Sequence, residues 1–321
     1  MLGLFAVVAL PSLGFATQSS WPQFRGPGST GRAPDTAPLP ATLDEGANLA
    51  WKAPVAPGHS SPCMTEDRIF VTAADDGQLS VLCLRREDGT LLWQRSVEAH
   101  GRERTMHEVN SAASPSPVTD GERVFAYFGT YGLLCYDLRG ELVWERPMPV
   151  PRNTFGTAAS PVLAAGKLVF KDDRKEDSSL EAIDPASGET VWRRSRPGFG
   201  SGWSTPVHWR RGDVDELLVY GVWWLTANDL ADGSELWALP GLTDEPCITP
   251  VVGDGLVYVT SYNMKTNPEV IGLPPFETLV ADYDEDGSGT LAFAEVREND
   301  SILSRMDADG EGDHPLAGFF R

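Results

Sequence analysis

The chain has 321 residues, of which 41% are hydrophobic, so it is long and apolar enough to fold around a large buried core. Its formal net charge of −20 repels nucleic-acid phosphates and anionic membrane surfaces, so we expect no nucleic-acid partner. The high counts of glycine (32), proline (25) and tryptophan (10) favour many turns and an all-β fold.

The first ten residues form an apolar run that is too short to cross a bilayer. Small residues follow at Gly14 and Ala16, as at the −3 and −1 positions of a cleavage site. We therefore predict a secretory signal over residues 1–16, although no Lys or Arg precedes the apolar run; a buried N-terminal strand is the alternative. The mature chain is then exported to the periplasm or cell envelope and does not span the membrane.

The four cysteines have no C-x-x-C spacing, and each lies beside apolar residues. They are Cys63, Cys83, Cys135 and Cys247. The spacing gives no zinc or disulfide signal, so we predict four free cysteines in the core.

A tryptophan recurs along the chain at intervals of 42 to 51 residues, which indicates an internal repeat. The recurring tryptophans are Trp51, Trp93, Trp144, Trp192 and Trp237. The last four follow a glycine turn between two short apolar runs, which predicts a β-hairpin. The turn glycines are Gly89, Gly140, Gly188 and Gly233.

Two further landmarks keep the phase of the tryptophans. A small residue followed by proline comes after each tryptophan, and proline is confined to strand starts and edges. These pairs are Ser61-Pro62, Ser116-Pro117, Ser160-Pro161, Thr205-Pro206 and Thr249-Pro250. An aliphatic and aromatic run follows each pair. Each unit therefore predicts four strands: one at the proline, the aliphatic–aromatic strand, one leading into the glycine turn, and one ending in tryptophan.

Four strands in about 45 residues predict a β-propeller blade, with the tryptophan filling the interface between blades. A β-solenoid is the alternative, but its coils are shorter and lack a tryptophan in phase. We predict about five blades over residues 17–262. Because the fifth unit is interrupted, we expect the set to be incomplete and further blades to follow Arg321; an open or small propeller, or one covered by another chain, is the other possibility.

The glycine-turn-tryptophan repeat resembles that of the pyrroloquinoline-quinone (PQQ)-type propellers, which include quinoprotein alcohol dehydrogenases and propeller lipoproteins of outer-membrane assembly. Residues 21–27 (WPQFRGP) and 107–115 (HEVNSAASP) resemble more specifically the exported bacterial proteins with a PQQ-binding-like β-propeller repeat. The resemblance covers about residues 21–262. It implies the fold but no single function, because this fold carries both enzymes and binding proteins.

The repeat breaks after Tyr262, and we assign residues 263–321 to an EF-hand insertion. Apolar residues recur there at i, i+3, i+4 and i+7, which predicts a helix. They are Phe276, Leu279, Val280 and Tyr283. Residues 272–321 carry 12 Asp and Glu against three Arg, so about half of the net charge lies in the last sixth of the chain.

Residues 284–295 have the spacing of a calcium-binding EF-hand loop, in which Ca²⁺ takes six to eight oxygens. The predicted ligands are Asp284, Asp286, Ser288, Thr290 through its carbonyl, and Glu295. Gly289 permits the sharp turn, whereas an acidic turn between helices, the alternative, requires neither this glycine nor the closing glutamate. Ala292 supplies no ligand at position nine, so we expect sub-millimolar to micromolar affinity.

A second acidic segment, residues 307–318, resembles a degenerate loop of the same kind. Asp307, Asp309 and Glu311 occupy positions one, three and five, but position twelve is Gly318 instead of a carboxylate. We therefore predict a degenerate or non-binding second loop, with calcium contact there as the alternative.

Candidate residues for a site on a propeller face are polar residues at the strand ends. They are His59, His107, Lys171, Asp172, Asp173 and Arg174. The favoured alternative is that these residues only fix the strand ends. The sequence contains no G-x-S-x-G, P-loop or H-E-x-x-H motif.

We expect a calcium-binding exported propeller that binds a protein or polysaccharide at one face and has no catalytic activity of its own. The alternative is an oxidoreductase like the PQQ-dependent dehydrogenases. For those enzymes the resemblance implies a full propeller, a calcium beside the quinone, a catalytic aspartate and adjacent cysteines. This chain has no adjacent cysteines and too few blades, which argues against the quinone as cofactor.

Overall fold

A computed structural model of the chain shows an almost entirely β architecture. It describes residues 20–33, 49–103, 106–153, 155–174, 177–243 and 245–261, with the single positions 278, 280, 281, 284 and 287. Its strands form four four-stranded sheets and one two-stranded sheet. The predicted signal over residues 1–16 lies outside the described residues.

The strands follow the chain in order within every sheet, and all pairings are antiparallel. Sheet 1 contains β1 (Cys63–Met64), β2 (Arg68–Asp75), β3 (Gln78–Arg85) and β4 (Leu91–Glu98). Sheet 2 contains β5 (Val118–Thr119), β6 (Arg123–Phe128), β7 (Gly132–Asp137) and β8 (Leu142–Pro147). Sheet 3 contains β9 (Val162–Ala164), β10 (Lys167–Asp172), β11 (Ser179–Ile183) and β12 (Thr190–Ser195). Sheet 4 contains β13 (Val207–Arg211), β14 (Val214–Gly221), β15 (Trp224–Asp229) and β16 (Glu235–Pro240), and sheet 5 contains β17 (Val251–Gly253) and β18 (Leu256–Tyr258).

These sheets are the predicted blades of a β-propeller. The core is divided into apolar clusters that each lie between two neighbouring sheets, so every blade is buried by the next. One detail of the prediction was wrong. The recurring tryptophan is the third residue of each fourth strand, and the strand continues beyond it because its outer residues keep pairing with the third strand.

The recurring tryptophans join consecutive blades, as predicted. The indole N–H of Trp93 donates to the carbonyl oxygen of Leu138 in the next glycine turn at 3.0 Å, and Trp144 donates in the same way to Pro185 at 3.0 Å. The turn glycine lies against the ring, since a Cβ added to Gly140 would come within 2.8 Å of Trp93. Gly140 also has a φ of 85°, which favours glycine.

The residue paired with each tryptophan is small, which explains two of the cysteines. Cys83 pairs with Trp93, and Cys135 pairs with Trp144, each next to a bulge in the hairpin. Both are buried, as is Cys63, and all four cysteines are free. The prediction was wrong for Cys247, which is exposed because it lies in the loop before β17 and not in a sheet.

The small hydroxyl residue before each proline connects the first strands of neighbouring blades. The N–H of Ser61 donates to Ser116 Oγ at 2.9 Å, that of Ser116 to Ser160 Oγ at 2.9 Å, and that of Ser160 to Thr205 Oγ1 at 3.1 Å. A proline cannot donate, so the preceding N–H makes this link. The first strands therefore lie side by side along the propeller axis.

The fifth sheet has two strands within the described part of the chain, and no third strand pairs with β18 among those residues. Tyr258 is 52% exposed, whereas Phe125, its counterpart in sheet 2, is 0% exposed because it packs in one apolar cluster with residues of sheet 3. The indole N–H of Trp237 donates to Glu216 Oε2 at 2.9 Å and not to the turn of a following blade. The described residues thus agree with an interrupted fifth unit.

Most of the predicted helix and both acidic loops lie outside the described residues. Thr278, Val280 and Ala281 are helical, and the N–H of Asp284 donates to the carbonyl oxygen of Val280 at 3.0 Å. The EF-hand at residues 284–295 and the degenerate loop at residues 307–318 remain predictions. Over the described residues, no helix has the length and hydropathy needed to cross a membrane.

Candidate functional site on the loop face

The alternation of strand direction places two kinds of connection on opposite faces. Connections that follow the second and fourth strands of a sheet lie on one face, which we call the loop face. Connections that follow the first and third strands, including the glycine turns, lie on the opposite turn face. The longest connections, such as residues 99–117 and 148–161, follow fourth strands. The loop face therefore carries the longest loops from which a binding site could be built.

A buried cluster of charges lies at the loop end of sheets 3 and 4. Asp173 contacts Lys171 Nζ at 3.2 Å through Oδ2 and Arg196 Nε at 2.9 Å through Oδ1. The side chains of Lys171 and Asp173 are fully buried, and that of Arg196 is nearly so. Burial lowers the pKa of Lys171. Burial also acts to raise the pKa of Asp173, but attraction to Arg196 and Lys171 outweighs it and lowers that pKa.

This cluster ties two blades together instead of facing solvent. Lys171 Nζ donates to the carbonyl oxygen of Tyr220 in the next sheet at 3.2 Å. The neighbouring pair of Asp172 and Arg174 also forms a salt bridge, and burial raises the pKa of Asp172. The candidates Lys171, Asp172 and Asp173 are thus at the loop face but buried, so the alternative that they fix strand ends is the better one for them.

The two candidate histidines differ in their surroundings. His59 is exposed, and its backbone N–H donates to the carbonyl oxygen of Ala113 at 3.1 Å, which holds the start of the first blade. The His107 ring packs edge-on against Phe155 with 5.9 Å between centroids. His107 therefore borders a surface that the sequence did not single out.

That surface is an exposed apolar patch, which consists of Met106, Val109, Phe155 and Trp203. Met106 is 43% exposed, Val109 71% and Phe155 38%. The rings of Phe155 and Trp203 lie 5.4 Å apart, and Trp203 is half-buried. Grouped apolar side chains of this kind mark sites of protein contact more often than single exposed ones.

The loops that carry the apolar patch are held together by hydrogen bonds. The amide of Asn110 donates to the carbonyl oxygen of Phe155 at 2.8 Å, and the indole N–H of Trp203 donates to the carbonyl oxygen of Gly156 at 2.7 Å. Three successive loops are therefore connected, so the patch is supported from below.

A buried carboxyl group supports the same loops. Glu103 Oε1 accepts a hydrogen bond from Thr157 Oγ1 at 2.6 Å, and burial raises the pKa of Glu103. Gly129 leaves room for this contact, since a Cβ there would overlap both Thr157 and Glu103. Sequence reasoning missed the apolar patch and the residues that support it because they fall between the landmarks of the repeat. The signal that could have indicated the patch is the presence of apolar and aromatic residues in loops that contain glycine and proline.

Most of the predicted calcium site lies outside the described residues. Of the five predicted ligands only Asp284 is among them, while Asp286, Ser288, Thr290 and Glu295 lie outside. In the described ranges, no group of three or more His, Cys, Asp or Glu residues is arranged to hold a metal ion.

The charged cluster does not fit the quinone of the PQQ-dependent enzymes. The quinone is a planar tricarboxylate, so a site for it needs accessible cations and an uncovered aromatic ring on which it can stack. Lys171 and Arg196 are both paired with Asp173, and the Arg196 guanidinium covers the Phe199 ring at 3.8 Å.

Comparison with solved structures shows the same fold in two larger dehydrogenases. The quinohemoprotein alcohol dehydrogenase of Comamonas testosteroni matches 74% of this chain and 45% of its own, with 12% identity and a TM-score of 0.51. The quinohemoprotein alcohol dehydrogenase ADHIIG of Pseudomonas putida HK5 matches 65% of this chain and 39% of its own, with 15% identity and a TM-score of 0.50. BamB of Moraxella catarrhalis matches 63% of this chain and 55% of its own, with 18% identity and a TM-score of 0.41.

The chain thus spans between 39% and 55% of the length of these three proteins. At 12% and 15% identity, the likeness to the two dehydrogenases concerns the fold alone. No curated protein matches in sequence. A family model described as outer membrane protein assembly factor BamB matches residues 39–173 and 176–288, which is most of the chain. The blades, their tryptophan contacts and this match together place the chain in the family of the outer membrane protein assembly factor BamB.

Proposed function

We propose that the chain is an exported scaffold module of the cell envelope, whose loop face binds a protein partner. The apolar patch of Met106, Val109, Phe155 and Trp203 carries this proposal. Membership of a family described as an outer membrane protein assembly factor supports a protein as the partner and the envelope as the location. A calcium-ordered segment at residues 284–295 is part of the same proposal and rests on its ligand spacing.

The patch suits a protein segment with apolar side chains. Its loops are already joined to one another by hydrogen bonds, so binding orders few additional residues. Such preorganisation favours affinity. The net charge of −20 attracts a partner whose flanking residues are basic and repels an acidic one. A polysaccharide is the competing ligand, because exposed aromatic rings such as Phe155 also stack on sugars.

The test measures binding of a urea-unfolded outer-membrane β-barrel protein, diluted from denaturant, by fluorescence anisotropy. Replacing Val109 and Phe155 together with serine removes two of the four apolar side chains of the patch, and we expect at least about tenfold weaker binding. The matched control replaces Leu91 and Val191, two exposed apolar residues on outer strands, with serine. We expect the control to bind like the parent chain.

Equal affinities of the patch variant and the parent, with both folded by circular dichroism, would overturn the protein-binding proposal. Binding of a soluble glycan that is lost in the same patch variant would replace the protein partner with a polysaccharide. For the calcium segment, titration calorimetry that gives no heat at millimolar Ca²⁺ would exclude the site.

The alternative function is a PQQ-dependent oxidoreductase. Its support is the fold shared with the two dehydrogenases above, whereas the buried charged cluster does not favour it. The test adds the quinone and Ca²⁺ to the purified chain and follows dye-linked oxidation of alcohols and sugars. Turnover would overturn the scaffold proposal.

A further inference from the structure

Residues 21–29, which we call the N-terminal strap, run across the ends of the first strands of the blades. Trp21 pairs with Met64 of β1 through two backbone hydrogen bonds of 3.0 and 2.7 Å. The next residue, Pro22, accepts a hydrogen bond through its carbonyl oxygen from the N–H of Thr119 in β5, at 2.8 Å. Two consecutive residues of the strap thus contact two consecutive blades.

The following residues of the strap extend this pattern to two more blades. Gln23 Oε1 accepts a hydrogen bond from the N–H of Leu163 in β9 at 2.9 Å. The 3₁₀ turn Pro27–Ser29 then packs against β13. The side chain of Gln23 thus takes the place of a backbone acceptor beside the middle residue of β9, and one short segment contacts the first strands of sheets 1 to 4.

The strap holds its own shape through internal contacts. Gln23 Nε2 donates to Ser29 Oγ at 3.0 Å, and both residues are buried. Arg25 and Ser29 have φ values of 62° and 55°, a region that residues other than glycine adopt only when their surroundings impose it. A Cβ added to Gly26 would come within 2.6 Å of the Trp21 ring, so this glycine lets the strap fold back on itself.

The position of the strap defines which end of the propeller axis it covers. Met64 and Thr119 are the last residues of β1 and β5, so the strap lies at the turn face, opposite the apolar patch. We propose that the strap is a structural brace: it covers the turn-face end of the axis and holds the first strands of four blades together. This inference is independent of the identity of any partner.

The test compares two glycine substitutions in the strap. Gly26→Ala forces a Cβ into the Trp21 ring, whereas Gly28→Ala has a similar φ of 59° but meets only Thr30, at 3.7 Å. Amide hydrogen exchange is followed by NMR at Thr119 in β5 and Leu163 in β9, whose N–H groups donate to the strap. We expect Gly26→Ala to exchange at least about tenfold faster at both amides and to unfold at lower urea, while Gly28→Ala changes neither amide by that much.

A second variant keeps the test decisive if Gly26→Ala fails to fold. Gln23→Leu preserves side-chain size but removes the acceptor for Leu163, and Gln94→Leu on an outer strand is its control. A brace predicts faster exchange at both Thr119 and Leu163, with a lower urea midpoint. Faster exchange at Leu163 alone, with an unchanged midpoint, would show independent surface contacts and overturn the proposal.

Discussion

At the scale of single residues, the structure separates charges that face solvent from charges that are enclosed. Asp173 is fully buried between Lys171 and Arg196, at a loop end where a sequence pattern suggests an exposed polar residue. An enclosed carboxylate that balances two cations is a structural element, because removing it leaves both cations without compensation in a medium of low polarity.

The Asp173→Asn substitution tests this role. We expect a loss of about 3 to 5 kcal/mol in the free energy of unfolding, measured by urea denaturation, because two buried cations lose their counter-charge. Asp177→Asn is the control, since Asp177 forms an exposed pair with Arg193 and such pairs contribute about 1 kcal/mol or less. Similar small losses in both variants would contradict an obligatory role for Asp173.

The buried carboxyl of Glu103 predicts a pH dependence. Its pKa is raised by burial, so the folded state holds the proton more tightly than the unfolded state, and Glu103 lowers stability as pH rises through and above its unfolded pKa of about 4.3. Glu103→Gln removes this titration while keeping an oxygen acceptor for Thr157. We expect the free energy of unfolding of the variant, relative to that of the parent, to be higher at pH 7 than at pH 4. Urea denaturation of both proteins at the two pH values measures this. A constant difference between the two proteins would contradict this.

At the scale of elements, the contact between a glycine turn and the preceding tryptophan is the unit that joins blades. It recurs at Trp51, Trp93, Trp144 and Trp192, each of which donates to a carbonyl oxygen in the following turn. The glycine is needed twice: its backbone is left-handed, and its missing Cβ makes room for the ring.

Two glycines with the same left-handed backbone distinguish the need for that backbone from the need for space beside the ring. Gly188 has a φ of 75° and lies against Trp144, where a Cβ would come within 2.7 Å, whereas Gly166 has a φ of 76° with nothing within 4 Å. We expect Gly166→Ala to cost about 1 to 2 kcal/mol from backbone strain, and Gly188→Ala about 1 to 3 kcal/mol more from the clash. Urea denaturation measures both. Equal losses would mean that the ring contact is not needed at this interface.

At the scale of the whole molecule, the blades depend on their neighbours for burial. In the chain, sheet 5 is followed by the segment that holds the predicted calcium loop, and about half of the net negative charge is in residues 272–321. Calcium bound there would neutralise part of this charge, so we expect its effect on stability to extend beyond the loop.

We predict that Ca²⁺ raises the stability of the chain by about 2.7 kcal/mol when its free concentration is a hundred times the dissociation constant. Thermal unfolding with and without Ca²⁺ measures this effect. Glu295→Gln removes the closing ligand and should abolish the effect, whereas Asp309→Asn in the degenerate loop should leave it intact. An effect that survives Glu295→Gln would assign the calcium to another site.

The sequence by itself determined the propeller, because a four-strand unit must repeat its turn glycine, its proline and its tryptophan wherever the same contact is made. The contact between Trp93 and Gly140, which are 47 positions apart, could be predicted because both recur at fixed places in the repeat. The calcium loop is local, so its ligand spacing could also be predicted, and it remains a prediction.

Only the tertiary structure decided the features that join distant and non-repeating residues. Phe155 and Trp203 form one patch because three loops meet at the loop face, and Asp173 is enclosed because Arg196 reaches it from the next connection. The strap contact of Gln23 with Leu163 spans 140 positions. No local pattern encodes such contacts, because they depend on how blades are arranged about the axis and not on the period within a blade.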